Sequence, residues 1–346
     1  MITNINLKNF RNFDELNLKT NNSLVIFSGK NATGKTSILE AIYLASTTKS
    51  HRTTEIDNTI KFNKDFAIVK IKDIKNYKVV VSKDKKTLFI NDKEIKKTGD
   101  YLGKLNVVMI SPSDISLVTG AKLDKRRFLD LYISTINKKY LNESSKYKKL
   151  LSERNQLLKN DNVDNMMLDI LTQSLCESLQ YIYEERIKFL NNLNEYLKDI
   201  SKNLGISNIS LVYEPTYNPN DIYNSFKNKY QSDIFNKVTS LGSHRDDFLI
   251  KINDLDSKEF ASEGQARLIY ISIKLALKKI ITSLNEEPIL LLDDIYQALD
   301  NKKIEALTKY VMESKQVLIT TTSILEIPDN LLSNALVIRI DNLKGV

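Results

Sequence analysis

The stretch "FSGKNATGKTSILEAIYLAS", residues 27–46, decides how the rest of the chain is read. It starts at the end of an apolar run, Leu24-Val25-Ile26-Phe27, and crosses a loop bracketed by Gly29 and Gly34. It continues with Ile38, Leu39, Ile42 and Ala45 at helical spacing. The apolar run fits a buried strand, and the later spacing puts an apolar face on a helix. The loop, Gly29-Lys30-Asn31-Ala32-Thr33-Gly34-Lys35-Thr36, satisfies G-x-x-x-x-G-K-[ST] at every position. Such a loop turns successive N–H groups toward one concave spot, and the helix behind it adds the positive end of its dipole. Gly29 through Thr36, with Ser37 behind them, are therefore the candidate phosphate cradle. Lys35 is placed to reach the β- and γ-phosphates of ATP, and the Thr36 hydroxyl to sit on Mg²⁺. An ordinary strand–turn–helix competes for the same residues. With only 9 glycines in the chain, a chance match loses ground.

A phosphate loop needs an acidic partner for the metal. "PILLLDD", residues 288–294, ends four apolar residues in Asp293 and Asp294. A buried parallel strand delivers its last side chains at the edge where ligands sit in α/β sheets. Asp293 is the candidate for holding Mg²⁺, directly or through water, and Asp294 for orienting or polarising the attacking water. Taken alone, two aspartates at a strand end are as often a solvated terminus.

A third element is "FASEGQARLIYISIKLAL", residues 260–277. Ser262, Gly264 and Gln265 fall where a helix should begin, so exposed amides there can form a second anion site. A simple helix N-cap accounts for the same residues. Two phosphate-binding elements in one chain suggest ATP held between two protomers, with Lys35 and Thr36 from one and Ser262, Gly264 and Gln265 acting in trans from the other.

The bulk properties bound the class. A chain of 346 residues with 42% hydrophobic and 27% charged content is globular. No apolar run approaches the roughly 20 residues of a membrane span. The N-terminal MITNINLKNFRNF lacks the pattern of a secretion signal, and the single cysteine, Cys176, excludes an internal disulfide framework. The cytoplasm is the expected compartment, with no membrane partner. His51, His244 and Cys176 are too few for a structural zinc site. The net charge of +8 favours a polyanionic partner, although Lys, Asn and Ile are abundant throughout, as general compositional drift also produces.

Along the chain, strand signals at Phe66–Ile71, Tyr77–Ser82, Leu88–Asn91 and Val107–Ile110 give way to a long segment, between Gly120 and Gly205, without glycine or proline. Leu171, Leu175, Leu179 and Ile182, then Leu190, Leu193, Leu197, Ile200 and Leu204, step at helical spacing. After it come a strand at Ile209–Tyr213, a helix over Asp221–Thr239 and a strand at Phe248–Ile252. The β–α–β series Ile289–Leu292, Lys302–Ser314 and Val317–Thr321 follows, with a last strand at Ala335–Ile340. The expectation is an α/β fold with a helical insertion.

These pieces resemble the DNA-repair branch of the ABC-type ATPase superfamily, and within it the RecF family best. The likeness runs nearly the full length, through "LKNFRNF", the P-loop and its helix, "SHRT", "SPSDISLVTGAKLDKRRFLD", "GSHRDDFLI", "ASEGQAR" and "LLLDDIYQALD". It implies an ABC-type ATPase head, with a P-loop mixed sheet, a β-rich N-terminal part and a helical insertion subdomain. Residues 1–119 and 208–346 would form the head, and 120–207 the inserted lobe, extending as far as about 238. It places Lys8, Asn9, Arg11 and Asn12 near the base and sugar of the nucleotide. It puts Asp300 in a loop facing the other protomer, and Thr320, Thr321 and Thr322 where transporter-type relatives carry a switch histidine. It further implies slow, DNA-stimulated ATP hydrolysis and an ATP-driven homodimer that grips duplex DNA at single-strand gap junctions. RecR and RecO would be partners in loading the recombinase RecA, and recombination, replication and the SOS response the setting.

The signature turn departs from the family, with Glu263 where glutamine is usual, and "IYQALD" replaces the usual V-x-S-E-L-D. Arg126, Arg127 and His244 match family motifs without a derivable role; a solvated helix face accounts equally well for the two arginines, and a structural turn accounts better for His244. A transporter ATPase subunit is disfavoured by the missing switch histidine and by the helical insertion. A head-type ATPase linked to a nuclease is disfavoured by the lack of a spare carboxylate cluster.

Overall fold

The computed structural model describes residues 1–206, 208–284 and 286–342. Alternating apolar residues near the N-terminus build an antiparallel sheet of six strands. Its order is Phe13–Lys19, Asn4–Phe10, Phe66–Lys72, Asn76–Ser82, Lys85–Ile90 and Lys93–Ile95. Ile5, Leu7, Val69, Ile71, Val79 and Leu88 are buried, while Asn6, Lys8, Lys70 and Lys72 are exposed, as period-two alternation requires. Asn91 and Asp92 both take positive φ (48 and 61), the backbone a tight two-residue hairpin turn demands.

The P-loop strand, Leu24–Ser28, belongs to a second sheet of five strands. The order is Leu336–Arg339, Leu24–Ser28, Val317–Thr321, Ile289–Asp293 and Val107–Ile110, and every pair is parallel. The β-rich N-terminal part and the P-loop sheet expected from sequence are thus two sheets, the first antiparallel and the second parallel in every pair. Register sets Thr321 opposite Ser28 and Asp293 opposite Thr320, so these strands end level at one edge. The helix Lys35–Thr47 packs against strands of both sheets. Every one of its residues except Thr36 is buried, which is why the spacing of Ile38, Leu39, Ile42 and Ala45 understates its apolar surroundings. Both sheets belong to one compact unit, comprising Met1–Ile115, Asp199–Ile206 and Arg267–Val346.

The second unit comprises Ser116–Lys198 and Ser207–Ala266, so it takes in residues beyond the helical stretch. Its long helices are Lys122–Ile136, Lys138–Leu157 and most of Asn165–Asn203. The apolar ladder from Leu171 to Leu204 is buried at every position named above. A three-stranded antiparallel sheet, with Asp247–Ile252 between Leu255–Asp256 and Ile209–Glu214, completes the unit. The single helix expected over 221–239 is two, Ile222–Lys227 and Tyr230–Asn236. The second stops at Lys237 (φ 55), and the chain turns back so that Ser240 N–H donates to Asp233.

Two buried arginines organise this unit. Arg186 donates to Asp130, Tyr140, Tyr213 and the Ser243 carbonyl, tying all three helices to the sheet. Arg154 donates to Asp233 at 2.9 Å, to Thr239 and to Thr172, with both charged side chains sealed from solvent. Removing one partner of such a pair leaves a buried charge uncompensated, whereas replacing both with apolar groups does not. Asp233→Ala is therefore expected to lose about 3–5 kcal/mol in denaturant unfolding, and the Arg154→Met/Asp233→Leu double variant much less. Equal losses in the two would contradict the assignment.

Candidate functional site

The loop from Gly29 to Thr36 leaves the parallel sheet and enters the helix Lys35–Thr47 through Gly34, at φ 97. A Cβ on Gly34 would come within 2.5 Å of Phe13 Cζ and 2.8 Å of Asn12 Nδ2, so both conformation and space demand glycine. Ala32 also takes positive φ, at 66. No side chain caps the N-terminus of this helix and no acid occupies its first turn, so its dipole end stays available to an anion. Thr33 Oγ1 donates to the Lys30 carbonyl at 2.9 Å and braces the loop. Lys35 is buried, and its Nζ donates to the Gly29 and Lys30 carbonyls at 2.8 and 2.9 Å. The ammonium is thus held inside the arch of the loop.

The acidic strand end lies at the same place. Thr36 Oγ1 donates to Asp293 Oδ1 at 2.9 Å, joining residues far apart in sequence. Asp294 takes positive φ (47), and its Oδ1 is buried with no hydrogen-bond partner among the described residues. Burial, reinforced by the neighbouring charge of Asp293, pushes its carboxyl above the ordinary range. An orphaned acceptor with raised proton affinity is what a water-polarising group needs.

These residues face a cleft of about 560 Å³ whose walls include Arg11, Asn12, Asn31, Lys35, Thr36, Ser37 and Asp294. The structure thus brings the P-loop, Arg11, Asn12 and the two aspartates together. Sequence reasoning missed what holds Arg11. Its Nε donates to Glu40 at 2.8 Å and its Nη2 to the other oxygen of the same carboxylate. Glu40 is fully buried, also accepts from Ser50 Oγ, and lies 3.6 Å from Arg52 Nη1. Burial opposes its charge, yet the bonds from Arg11 and Ser50 hold its carboxyl below the usual range. An acid within the apolar run Ile38–Ala45 was the available signal. Arg52, Asn58 and Ile60 also line the cleft, and Asp341 accepts from the Lys30 N–H at 3.1 Å.

Ser262, Gly264 and Gln265 belong to the second unit, and the turn they form is exposed. Ser262 N–H donates to Gln265 Oε1 at 2.9 Å and Gln265 N–H to Ser262 Oγ at 3.3 Å, a reciprocal cap on the helix Glu263–Ser283. A Cβ on Gly264 would meet nothing within 4 Å. Unlike Gly34, this glycine is not required by its own chain.

The remaining motif residues make contacts within the second unit. Arg126 Nη1 donates to the Asp246 carbonyl at 3.0 Å, and Arg127 makes an exposed contact with Asp124. Tyr147 Oη donates to His244 Nδ1 at 2.8 Å, and His244 Nε2 faces the Thr239 carbonyl at 3.3 Å. Burial lowers the His244 imidazole from 6.5 to about 4. A depressed histidine stabilises the fold above its unfolded value and loses that contribution as pH falls toward the folded one. The stability advantage of wild type over His244→Asn should therefore shrink by up to about 3 kcal/mol as pH falls through this interval. Denaturant melts giving the same difference at both ends would contradict a buried neutral histidine.

Comparison with known proteins agrees with the geometry. Residues 1–327 match the model of the RecF/RecN/SMC N-terminal domain. The DNA replication and repair protein RecF of Acholeplasma laidlawii is 39% identical over 325 residues, covering 93% of both chains. That of Clostridium perfringens is 37% identical over 356 residues, covering 99% of this chain and 98% of its own. A solved structure of the recombination mediator protein RecF with ATP, from the RecFOR pathway, superposes with a TM-score of 0.86 at 30% identity, covering 94% of this chain and 93% of that one. The Smc head of Pyrococcus furiosus, at 16% identity and TM-score 0.54, shares the fold.

Proposed function

The chain belongs to the RecF family of DNA replication and repair proteins, and on that premise we propose that ATP closes two copies of it around duplex DNA. It is an ATP-binding ATPase of DNA repair and replication, with an ABC-type head. In our reading the loop amides and Lys35 bind the phosphates, and Arg11 and Asn12 border the base and sugar. Thr36 and Asp293 would hold Mg²⁺. The site suits ATP with Mg²⁺: Gly34 keeps the cradle open, Lys35 supplies the cation, and the metal needs few protein ligands when phosphates supply the rest. When bound, the metal neutralises charge building on the β- and γ-phosphates. Asp294, with its unpaired oxygen, would take the proton of the attacking water.

The observation that carries the two-copy reading is Gly264. Glycine in the first turn of a helix weakens it, and among the described residues nothing lies within 4 Å of where its side chain would start. Close approach by another molecule supplies the reason, and the exposed Ser262–Gln265 turn then offers its amides to the γ-phosphate on the partner copy. The net charge of +8 supports a phosphate-rich partner. Gapped duplex as the target, RecR and RecO as partners, slow DNA-stimulated hydrolysis and a cytoplasmic location follow from the same reading. Among the described residues no helix is long and apolar enough to cross a membrane.

Sedimentation velocity tests this directly. Asp294→Asn with ATP and Mg²⁺ should sediment as a dimer, and as a monomer without nucleotide or when Lys35→Ala is added. A monomer across a wide concentration range with ATP would contradict the proposal. Duplex affinity should also rise with ATP and fall steeply with salt. Equal affinity for wild type and Lys35→Ala in saturating ATP would contradict the clamp.

A further inference from the structure

Thr320 stands in the strand Val317–Thr321, opposite Asp293 in the parallel register, and is 1% exposed. Among the described residues its hydroxyl makes two bonds, and both end on the acidic strand terminus. Oγ1 donates to Asp293 Oδ1 at 2.7 Å and accepts from Asp294 N–H at 3.0 Å. A hydroxyl has one proton to give, so these directions are fixed: the proton goes to the carboxylate and a lone pair to the amide.

Each bond constrains a different half of the chemistry. Among the described residues, both hydrogen bonds that reach the Asp293 carboxylate, from Thr36 and Thr320, land on Oδ1. The carboxylate is pinned through one oxygen, and its plane is set by two hydroxyls on separate elements. The second bond holds the peptide of Asp294, whose φ of 47 is an uncommon conformation for a residue with a Cβ. Such a backbone persists only where its surroundings enforce it. The side chain that leaves that backbone carries the buried, unpartnered Oδ1.

Resting on the ATPase reading above, we propose that Thr320 is the positioning residue of this site, one hydroxyl setting both the orientation of Asp293 toward the metal and the left-handed turn that aims Asp294. It acts through the two aspartates that its hydroxyl bonds. Its β-branched shape suits the strand, but the function resides in the oxygen. Valine keeps the shape and loses both bonds; serine keeps the bonds and loses a methyl.

The test compares Thr320→Val with Thr320→Ser, both full length. Binding of a fluorescent ATP analogue is measured in EDTA and again with Mg²⁺, and kcat and KM for ATP are measured alongside. Thr320→Val should keep metal-free nucleotide affinity, lose the gain that Mg²⁺ confers, and show kcat lowered about 10–100-fold, the usual effect of losing an outer-sphere partner. Thr320→Ser should recover both the Mg²⁺ gain and kcat. Unchanged Mg²⁺ gain and kcat in Thr320→Val would overturn the proposal, as would a serine variant as impaired as valine. Should the valine variant fail to fold, Thr320→Ala, also without the oxygen, is judged by the same measures. Wild type that binds no nucleotide in EDTA or Mg²⁺ would instead overturn the ATPase reading, and this proposal with it.

Discussion

One carboxylate oxygen, Asp293 Oδ1, is the point on which the site depends. It accepts from Thr36 at the start of the P-loop helix and from Thr320 on the neighbouring strand. The acid is nearly buried, and a buried carboxylate is tolerated only when its hydrogen bonds are made. Satisfying it draws three separate stretches of chain to one spot at the end of the parallel sheet. The arch that holds Lys35, the acid that would meet the metal and the acid that would handle water thereby share one frame. Buried strands on both sides make that frame stiff, because Leu291 and Ile319 and their strand partners Met109, Leu318, Leu292 and Ile26 are all buried.

Much of this was legible in the sequence because its signals are local. The P-loop spacing, the apolar strand ending in Asp293-Asp294 and the leucine ladder from Leu171 to Leu204 each report geometry within a few turns or residues. Asn91 and Asp92 are of the residue types that accept positive φ, and both take it. What escaped is what depends on register between distant segments. Arg11 and Glu40 meet across 29 positions, and Thr320 meets Asp293 across 27. Neither pairing leaves a periodic trace. The stop at Lys237 escaped for the same reason, since the turn back to Ser240 answers to Asp233 and its buried partner Arg154.

The contrast between Gly34 and Gly264 separates folding from function. Gly34 is dictated by its own chain, through positive φ and the closeness of Phe13 and Asn12. Around Gly264, by contrast, no atom among the described residues comes within 4 Å of where a Cβ would stand. Its neighbour Glu263, a departure from the family's glutamine, is exposed on the same turn and would bring negative charge toward a partner's phosphate. On our reading this weakens the nucleotide-bound pair without abolishing it, since Ser262, Gly264 and the amides remain.

The central claim is that each nucleotide site is built from two copies. Mixing two inactive variants tests it most directly: Lys35→Ala, which disables the P-loop half, and Ser262→Arg, which disables the turn half. Each alone should hydrolyse no ATP. A mixed pair has one site with both halves disabled and one with both intact, so hydrolysis should return on mixing and track the proportion of mixed pairs. A mixture no more active than its components would contradict the account.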